Sequence, residues 1–293
     1  MQGFLNINKP QGWTSRDVVN AVVRCLPRGT KAGHAGTLDP LATGVLVVAV
    51  GRATRLISMA QEGRKRYRAE FLFGRTSDTE DIEGEVVELE NSPQPTAEAI
   101  ASVLPELTGD IMQRPPAYSA IQVGGKRAYD LARKGEEVEL APRPVRVESI
   151  EVLSYDYPTL TLDVECGKGT YIRSLGRDLA EKLGTGAVMS ALVRTQVGAF
   201  RLENAVSMDD VRQDGLERHI RPLIEAIPES MARVTPPQDA LRRLLQGQIV
   251  TLDAAAEEVA VLWEEEVAAI AQRVGPGRYR GGVNLLSVEE LVV

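Results

Sequence analysis

One carboxylate, Asp39, stands apart from other acids in the glycine-punctuated stretch Lys31-Ala32-Gly33-His34-Ala35-Gly36-Thr37-Leu38-Asp39-Pro40-Leu41-Ala42-Thr43-Gly44. Gly33, Gly36 and Gly44 permit sharp turns or close approach of backbone to a ligand, and Pro40 draws Asp39 away from helical geometry. The stretch reads as a reaction site in which a single carboxylate is presented on a fixed stem. In isolation the same residues also read as an Asp-Pro turn leading into the next strand.

Two further blocks gather polar residues at tight spacing. Lys65-Arg66-Tyr67 is followed by Gly74-Arg75-Thr76-Ser77-Asp78-Thr79-Glu80-Asp81-Ile82-Glu83-Gly84, and later comes Gly167-Lys168-Gly169-Thr170-Tyr171-Ile172-Arg173-Ser174-Leu175-Gly176-Arg177-Asp178-Leu179. Neither Gly124-Gly125-Lys126-Arg127 nor Gly167-Lys168-Gly169-Thr170 has the spacing and Lys-Ser/Thr pair of a phosphate-binding P-loop. The three blocks, in this order, resemble the TruB family of tRNA pseudouridine synthases. Pro115-Pro116-Ala117-Tyr118-Ser119-Ala120 and Ala191-Leu192-Val193-Arg194-Thr195 extend the likeness over nearly all of residues 3–230.

The resemblance implies isomerisation of uridine 55 in the TΨC loop of tRNA, with Asp39 as the catalytic carboxylate. Uracil would detach, rotate and rejoin the ribose through C5. Because uracil is both leaving group and nucleophile, no cofactor is implied, only a closed, dry pocket. The family pattern sets Arg173 beside Asp39, where a guanidinium favours the ionised carboxylate. It also sets Tyr67 against the target base, Leu192 in the pocket wall and His34 in the RNA loop. Asp81 matches an acid near the base, although in so acidic a run a solvated role is the alternative. Tyr171, Lys9, Lys126, Arg127, Tyr129 and Arg143 complete the candidate RNA contacts, the last five toward the backbone. The implied partner is the TΨC stem-loop of tRNA, with no obligate protein partner and a monomeric enzyme. Two departures stand out: Ser77 replaces a usual Thr, and Val193 replaces the first of an Arg pair.

These residues need elements to hold them. Thr14-Ser15-Arg16-Asp17 reads as a capping box opening a helix that runs to about Cys25, with Val18, Val19, Val22 and Val23 at helical spacing. The continuous apolar run 44–50 suits a strand buried on both faces, and Tyr67, Ala69, Phe71 and Phe73 alternate as a strand should. Residues 147–153 and 160–166 read as strands and 171–183 as a helix closed by Gly184. Without a regular βαβ rhythm the pattern predicts an α/β (α+β) fold with a mixed sheet; the resemblance makes it a pseudouridine-synthase fold, mostly antiparallel and flanked by helices. Residues 1–232 are expected as the catalytic domain, with a mobile RNA-clamping insertion over about 114–143. After Arg233-Val234-Thr235-Pro236-Pro237, residues 233–293 are expected as a small β-rich domain with a helix over 239–246, loosely resembling an RNA-binding PUA domain.

Bulk properties narrow the classes. At 293 residues and 43% apolar the chain can bury a large core. No run of about 18 apolar residues and no basic leader is visible, so neither membrane nor export is expected and the cytoplasm is. Cys25 and Cys166, with His34 and His219, are too few for a disulfide framework or a structural zinc site, and both thiols are expected to be buried. The net charge of −7 argues against nucleic acid until its distribution is read. Through residue 75 there are 12 basic and 4 acidic residues, a balance of +8, so the remainder carries −15. Five tyrosines, Tyr67, Tyr118, Tyr129, Tyr171 and Tyr279, neighbour basic residues and are candidates to stack on bases. Rival readings are a carboxylate-based nucleoside hydrolase, a non-catalytic RNA-folding protein and the catalytic subunit of an RNA-guided complex.

Overall fold

The computed structural model describes residues 1–119, 121–123, 126–127 and 140–291, with backbone alone for 122, 123, 126 and 127. Helix α1 (Ser15–Arg24) starts as its sequence predicts: the Thr14 hydroxyl accepts from the Asp17 N–H at 3.1 Å, and Asp17 accepts from the Thr14 N–H at 2.9 Å. Its inner valines pack on β1 (Gly3–Lys9) and β3 (Thr43–Val50), which pair antiparallel. Because β1 occupies one whole edge of β3, the other edge is shared by β2 (Ala32–His34) and the start of a parallel pairing with β12 (Ala187–Val197). The unbroken apolar run of β3 follows: Leu46, Val48 and Val50 face α1, while Val45, Val47 and Ala49 face a second core.

Helix α2 (Ile57–Glu62) leads into β4 (Lys65–Phe73), which buries Tyr67, Ala69, Phe71 and Phe73 in alternation. A small hairpin, β5 (Arg75–Thr76) and β6 (Val87–Glu88), precedes α3 (Ala97–Val103) and β7 (Gly109–Gln113). The backbones of β8 (Gln122–Val123) and β9 (Lys126–Arg127) pair with each other. Then come β10 (Arg143–Asp156), longer than expected, β11 (Thr159–Cys166), helix α4 (Ile172–Lys182), β12, β13 (Phe200–Arg201) and α5 (Met208–Asp214). The nine-stranded sheet has the order β1-β3-β12-β4-β11-β10-β7, with β2 and β13 off this path. Among the described residues its only parallel pair is β3 with β12, so the sheet is mixed and mostly antiparallel.

Helix α4 lies on this sheet through Ile172, Leu175 and Leu179, in one core with Phe71, Leu162 and Val164. Gly176 permits the close contact, since a Cβ there would stand 2.2 Å from Phe71 Cε1. A second sheet, β14 (Ala232–Val234), β16 (Glu258–Trp263), β17 (Glu266–Gly275), β18 (Arg278–Asn284) and β15 (Val250–Thr251) in that spatial order, carries α6 (Gln238–Leu245). It has a core of its own around Leu241, Leu244, Val259 and Val261. Its other side packs Ala260, Val267, Ile270 and Leu285 against Val45 and Val47 of β3. No helix among the described residues is long and apolar enough to cross a membrane. One expectation fails: Cys166 is buried, but Cys25, at the end of α1, is exposed.

Candidate active site

The loop bearing Asp39 is held from three sides. Ser15, at the start of α1, accepts from the Leu38 N–H at 2.8 Å and donates to the Leu38 carbonyl at 3.2 Å. Lys9, at the end of β1, donates to the carbonyls of Trp13 at 2.6 Å, Pro10 at 3.0 Å and Pro40 at 3.3 Å. Arg194, on β12 and 1% exposed, donates to Val45 at 2.7 Å, Gly36 at 3.1 Å and Thr37 at 3.4 Å. Gly44 lets the strands meet there: a Cβ would lie 2.3 Å from the Arg194 carbonyl oxygen. A loop pinned this way presents its carboxylate in one geometry, which reaction at a fixed centre requires.

Arg173, in the first turn of α4, supplies the counter-charge. Its Nε lies 3.1 Å from Asp39 Oδ2, Nη1 donates to the Thr79 carbonyl at 2.7 Å and Nη2 to the Tyr118 carbonyl at 3.0 Å. Asp81 Oδ2 stands 3.6 Å from the same Nη1. The first turn of α4 is itself tied down by Gln113, which accepts from the Tyr171 N–H at 2.8 Å and donates to the Tyr171 carbonyl at 3.1 Å. Asp39, isolated in sequence, therefore has acidic company in space. Asp81 is buried, not solvated, and Glu83 close by has its pKa raised by burial and by the charges of Asp81 and Asp39.

A cavity of about 390 Å³ opens over Asp39 and is lined by Tyr67, Leu192, Tyr171, Arg173, Lys65 and Arg143 among others. Its volume falls in the range of small-molecule sites, about 300–1,000 Å³. Burial raises the pKa of the Tyr67 phenol, so it stays protonated, and pushes the Lys65 ammonium down to about 8. The Arg143 guanidinium sits 5.1 Å from the centroid of the Tyr171 ring. A larger hollow of about 820 Å³ lies beyond residues 77–80, but it holds neither Asp39 nor Tyr67.

The structure thus gathers Asp39, Tyr67, Arg173, Leu192, Tyr171 and Arg143 around one space. His34 lies on β2 and does not line it; burial, with Arg16 and Arg194 adding repulsion, lowers its pKa. Lys9 corrects the expectation of a phosphate contact: it is 0% exposed and its ammonium is spent on three carbonyls. For Lys126 and Arg127 only the backbone is described, and Tyr129 with half of the expected clamp lies outside the described residues. Tyr279, a candidate for base stacking, is instead wholly buried, with its hydroxyl donating to the Ala256 carbonyl.

The basic front half is also partly spent. Lys65 is buried, Arg64 and Arg66 pair with Glu165 and Asp163, and Arg75 with Glu88. Arg52 and Arg55 donate to the carbonyls of Leu285 and Asn284 beside the second sheet. Arg16, Arg24, Arg28, Lys31 and Arg68 are exposed and make no ion pair with another described residue. Sequence reasoning missed Gln113 and the anchoring role of Arg194, which depends on the long-range register that sets Arg194 opposite Gly44.

Comparison with known proteins adds independent findings. Residues 24–172 match the model described as TruB family pseudouridylate synthase (N terminal domain), and residues 173–230 match the tRNA pseudouridylate synthase B C-terminal domain. A relative from Nostoc sp., named tRNA pseudouridine synthase B, is 42% identical over 257 residues, 86% of this chain and 87% of that protein. One of the same name from Gluconobacter oxydans is 49% identical over 216 residues, 73% of this chain and 64% of that protein. Among solved structures, a chain from a Cbf5-Nop10-Gar1 complex superposes with a TM-score of 0.75 at 26% identity, covering 99% of this chain and 86% of that one.

Proposed function

The chain belongs to the TruB family of pseudouridylate synthases, isomerases that form pseudouridine in tRNA, and we propose that its target is uridine 55 of the TΨC loop, with Asp39 as the catalytic carboxylate. The observation that carries this reading is the Asp39 carboxylate, 37% exposed and held at 3.1 Å by a guanidinium only 6% exposed, at the base of a cavity walled by Tyr67 and Leu192. Arg173 engages Oδ2, and Oδ1 has no hydrogen-bond partner among the described residues, which leaves it for the nucleotide.

The chemistry asks for little else. The N1–C1′ bond breaks, uracil turns within the cavity, a C5–C1′ bond forms, C5 releases its proton and N1 takes one up, so atoms balance without oxidant, metal or cofactor. A pocket that excludes water keeps the freed base from escaping and strengthens the Asp39–Arg173 interaction. Everting the uridine from a folded loop costs a few kcal/mol of unstacking. Stacking on Tyr67 or Tyr171, together with phosphate contacts from Arg143, Lys126, Arg127, Tyr129 and the exposed basic residues near the N-terminal half, offsets it. His34 and Asp81 are proposed on the approach to the base, and Asp81 also acts through Arg173.

Residues 1–232 are read as the catalytic unit and 233–293 as an RNA-binding unit, working as a monomer in the cytoplasm without an obligate protein partner. The test is tritium release from uracil C5 in a transcribed tRNA and in a bare TΨC stem-loop. Release by the wild type, abolished in Asp39→Asn and absent when the target is cytidine, is expected. Free uracil as product would establish a nucleoside hydrolase instead. Activity only with added guide RNA and proteins would establish an RNA-guided subunit.

A further inference from the structure

Glu80 adopts a left-handed backbone, φ 63°, in a turn whose neighbouring residues both face Arg173. A residue with a Cβ resists that conformation, and it persists only where the surroundings impose it. Here it lets Thr79 aim its carbonyl and Asp81 its carboxylate at one guanidinium nitrogen, Nη1 of Arg173, at 2.7 and 3.6 Å. The turn is fastened to β12 by its backbone, with Met189 N–H donating to the Glu80 carbonyl at 3.0 Å. Its side chain fastens it to α4. The Glu80 carboxylate accepts from Ser174 Oγ at 2.8 Å and from Arg177 Nη1, the residue after Arg173 and the residue one turn beyond it. Arg177 in turn donates to Asp178 at 2.7 Å and to the Arg114 carbonyl at 2.8 Å.

We propose that Glu80 is a positioning residue for the reaction: by stapling residues 77–83 to α4 just after Arg173 and one turn on, it fixes the guanidinium against Asp39 without touching the nucleotide. The inference rests on the proposed role of Asp39 and deepens it. An ordinary structural ion pair would predict loss of stability alone when Glu80 is removed; a positioning role predicts loss of turnover besides, at retained affinity. Arg173 is also held by Thr79, Tyr118 and Asp81, so the staple refines an orientation already favoured.

The test compares Glu80→Gly and Glu80→Gln with wild type in the full chain, by tritium release under steady state and by thermal unfolding. Glycine accepts φ 63° without strain, so it deletes the carboxylate while relaxing the backbone. Glu80→Gly is expected to lower kcat about 10- to 100-fold, with KM for tRNA within about twofold and a lowered Tm, because Arg177 and Ser174 lose a buried partner. Glu80→Gln keeps an acceptor for Ser174 and Arg177 and is expected to restore kcat to within about threefold of wild type. Unchanged kcat in Glu80→Gly, or a loss confined to KM or Tm, overturns the proposal. If Glu80→Gly fails to fold, Glu80→Asn decides, since asparagine tolerates the left-handed backbone but is one carbon shorter than the staple needs: a kcat lowered at unchanged KM supports it, and wild-type kcat overturns it. A wild type that releases no tritium overturns the proposed function itself, which keeps the two failures distinct.

Discussion

Arg173 holds two carboxylates of very different surroundings. The side chain of Asp39 is 37% exposed and that of Asp81 is 4% exposed. Arg173→Met keeps an unbranched stem and removes the charge. Asp39, on the exposed side of its pair, then finds water, so that loss costs within about 1 kcal/mol. Asp81 does not: its remaining donors are Thr79 Oγ1 at 2.6 Å and the Glu83 N–H at 3.0 Å. Breaking a buried pair from one side costs about 3–5 kcal/mol. The 3.6 Å separation from Arg173 argues for the low end, while the loss of bonds to the Thr79 and Tyr118 carbonyls argues for more. Arg173→Met is therefore expected to lose about 3–5 kcal/mol of unfolding free energy, Asp39→Asn within about 1 kcal/mol, and Arg173→Met/Asp81→Asn to regain about 1–2 kcal/mol. Urea unfolding followed by far-ultraviolet circular dichroism at neutral pH, with slopes compared to confirm a common unfolded state, reads all three. An Arg173→Met loss below about 1 kcal/mol, or an Asp39→Asn loss equal to it, would refute the reasoning.

Two further outcomes follow from buried contacts. Burial pushes Lys65 from 10.5 to about 8, so the unfolded chain holds a proton that the folded chain has shed across that interval. The burial penalty is fully present below pH 8 and stability rises from there toward pH 10.5. Lys65→Met should flatten that rise in urea unfolding; Lys9, shifted to about 8 as well, leaves a residual slope. A rise identical to wild type contradicts the assignment. Gly176→Ala, which in an exposed helix would stabilise, should here cost about 1–3 kcal/mol because the new methyl meets Phe71. It should also lower kcat by shifting the helix that carries Arg173, and a raised Tm would sink this reading.

What sequence could reveal was set by how local the determinants are. The Thr14–Asp17 cap, the alternation of β4 and the unbroken run of β3 are written in adjacent residues, and each took the form expected. The Asp39 loop and Arg173 were legible as motifs, and the structure brings them to 3.1 Å. Exposure was not legible: Lys9 and Tyr279 are of types that meet RNA, yet both are needed inside, as a donor to three carbonyls and as a core ring. Nor was convergence. Arg194 reaches the Asp39 loop only because β12 runs parallel to β3 in the register Arg194↔Gly44, a pairing across about half the chain. The charge asymmetry predicted a basic face, but ion pairs within the sheet and bonds to the second sheet consume much of it.

The central claim is that Asp39 performs chemistry on one everted uridine rather than holding RNA. It is tested most directly by mapping pseudouridine, nucleotide by nucleotide, in a transcribed tRNA after incubation with wild type or Asp39→Asn, with filter binding on the same samples. The account predicts modification at position 55 by wild type, none by Asp39→Asn, and equal retention of the tRNA by both proteins. Modification by Asp39→Asn at the wild-type rate, or modification at some other position alone, would contradict it.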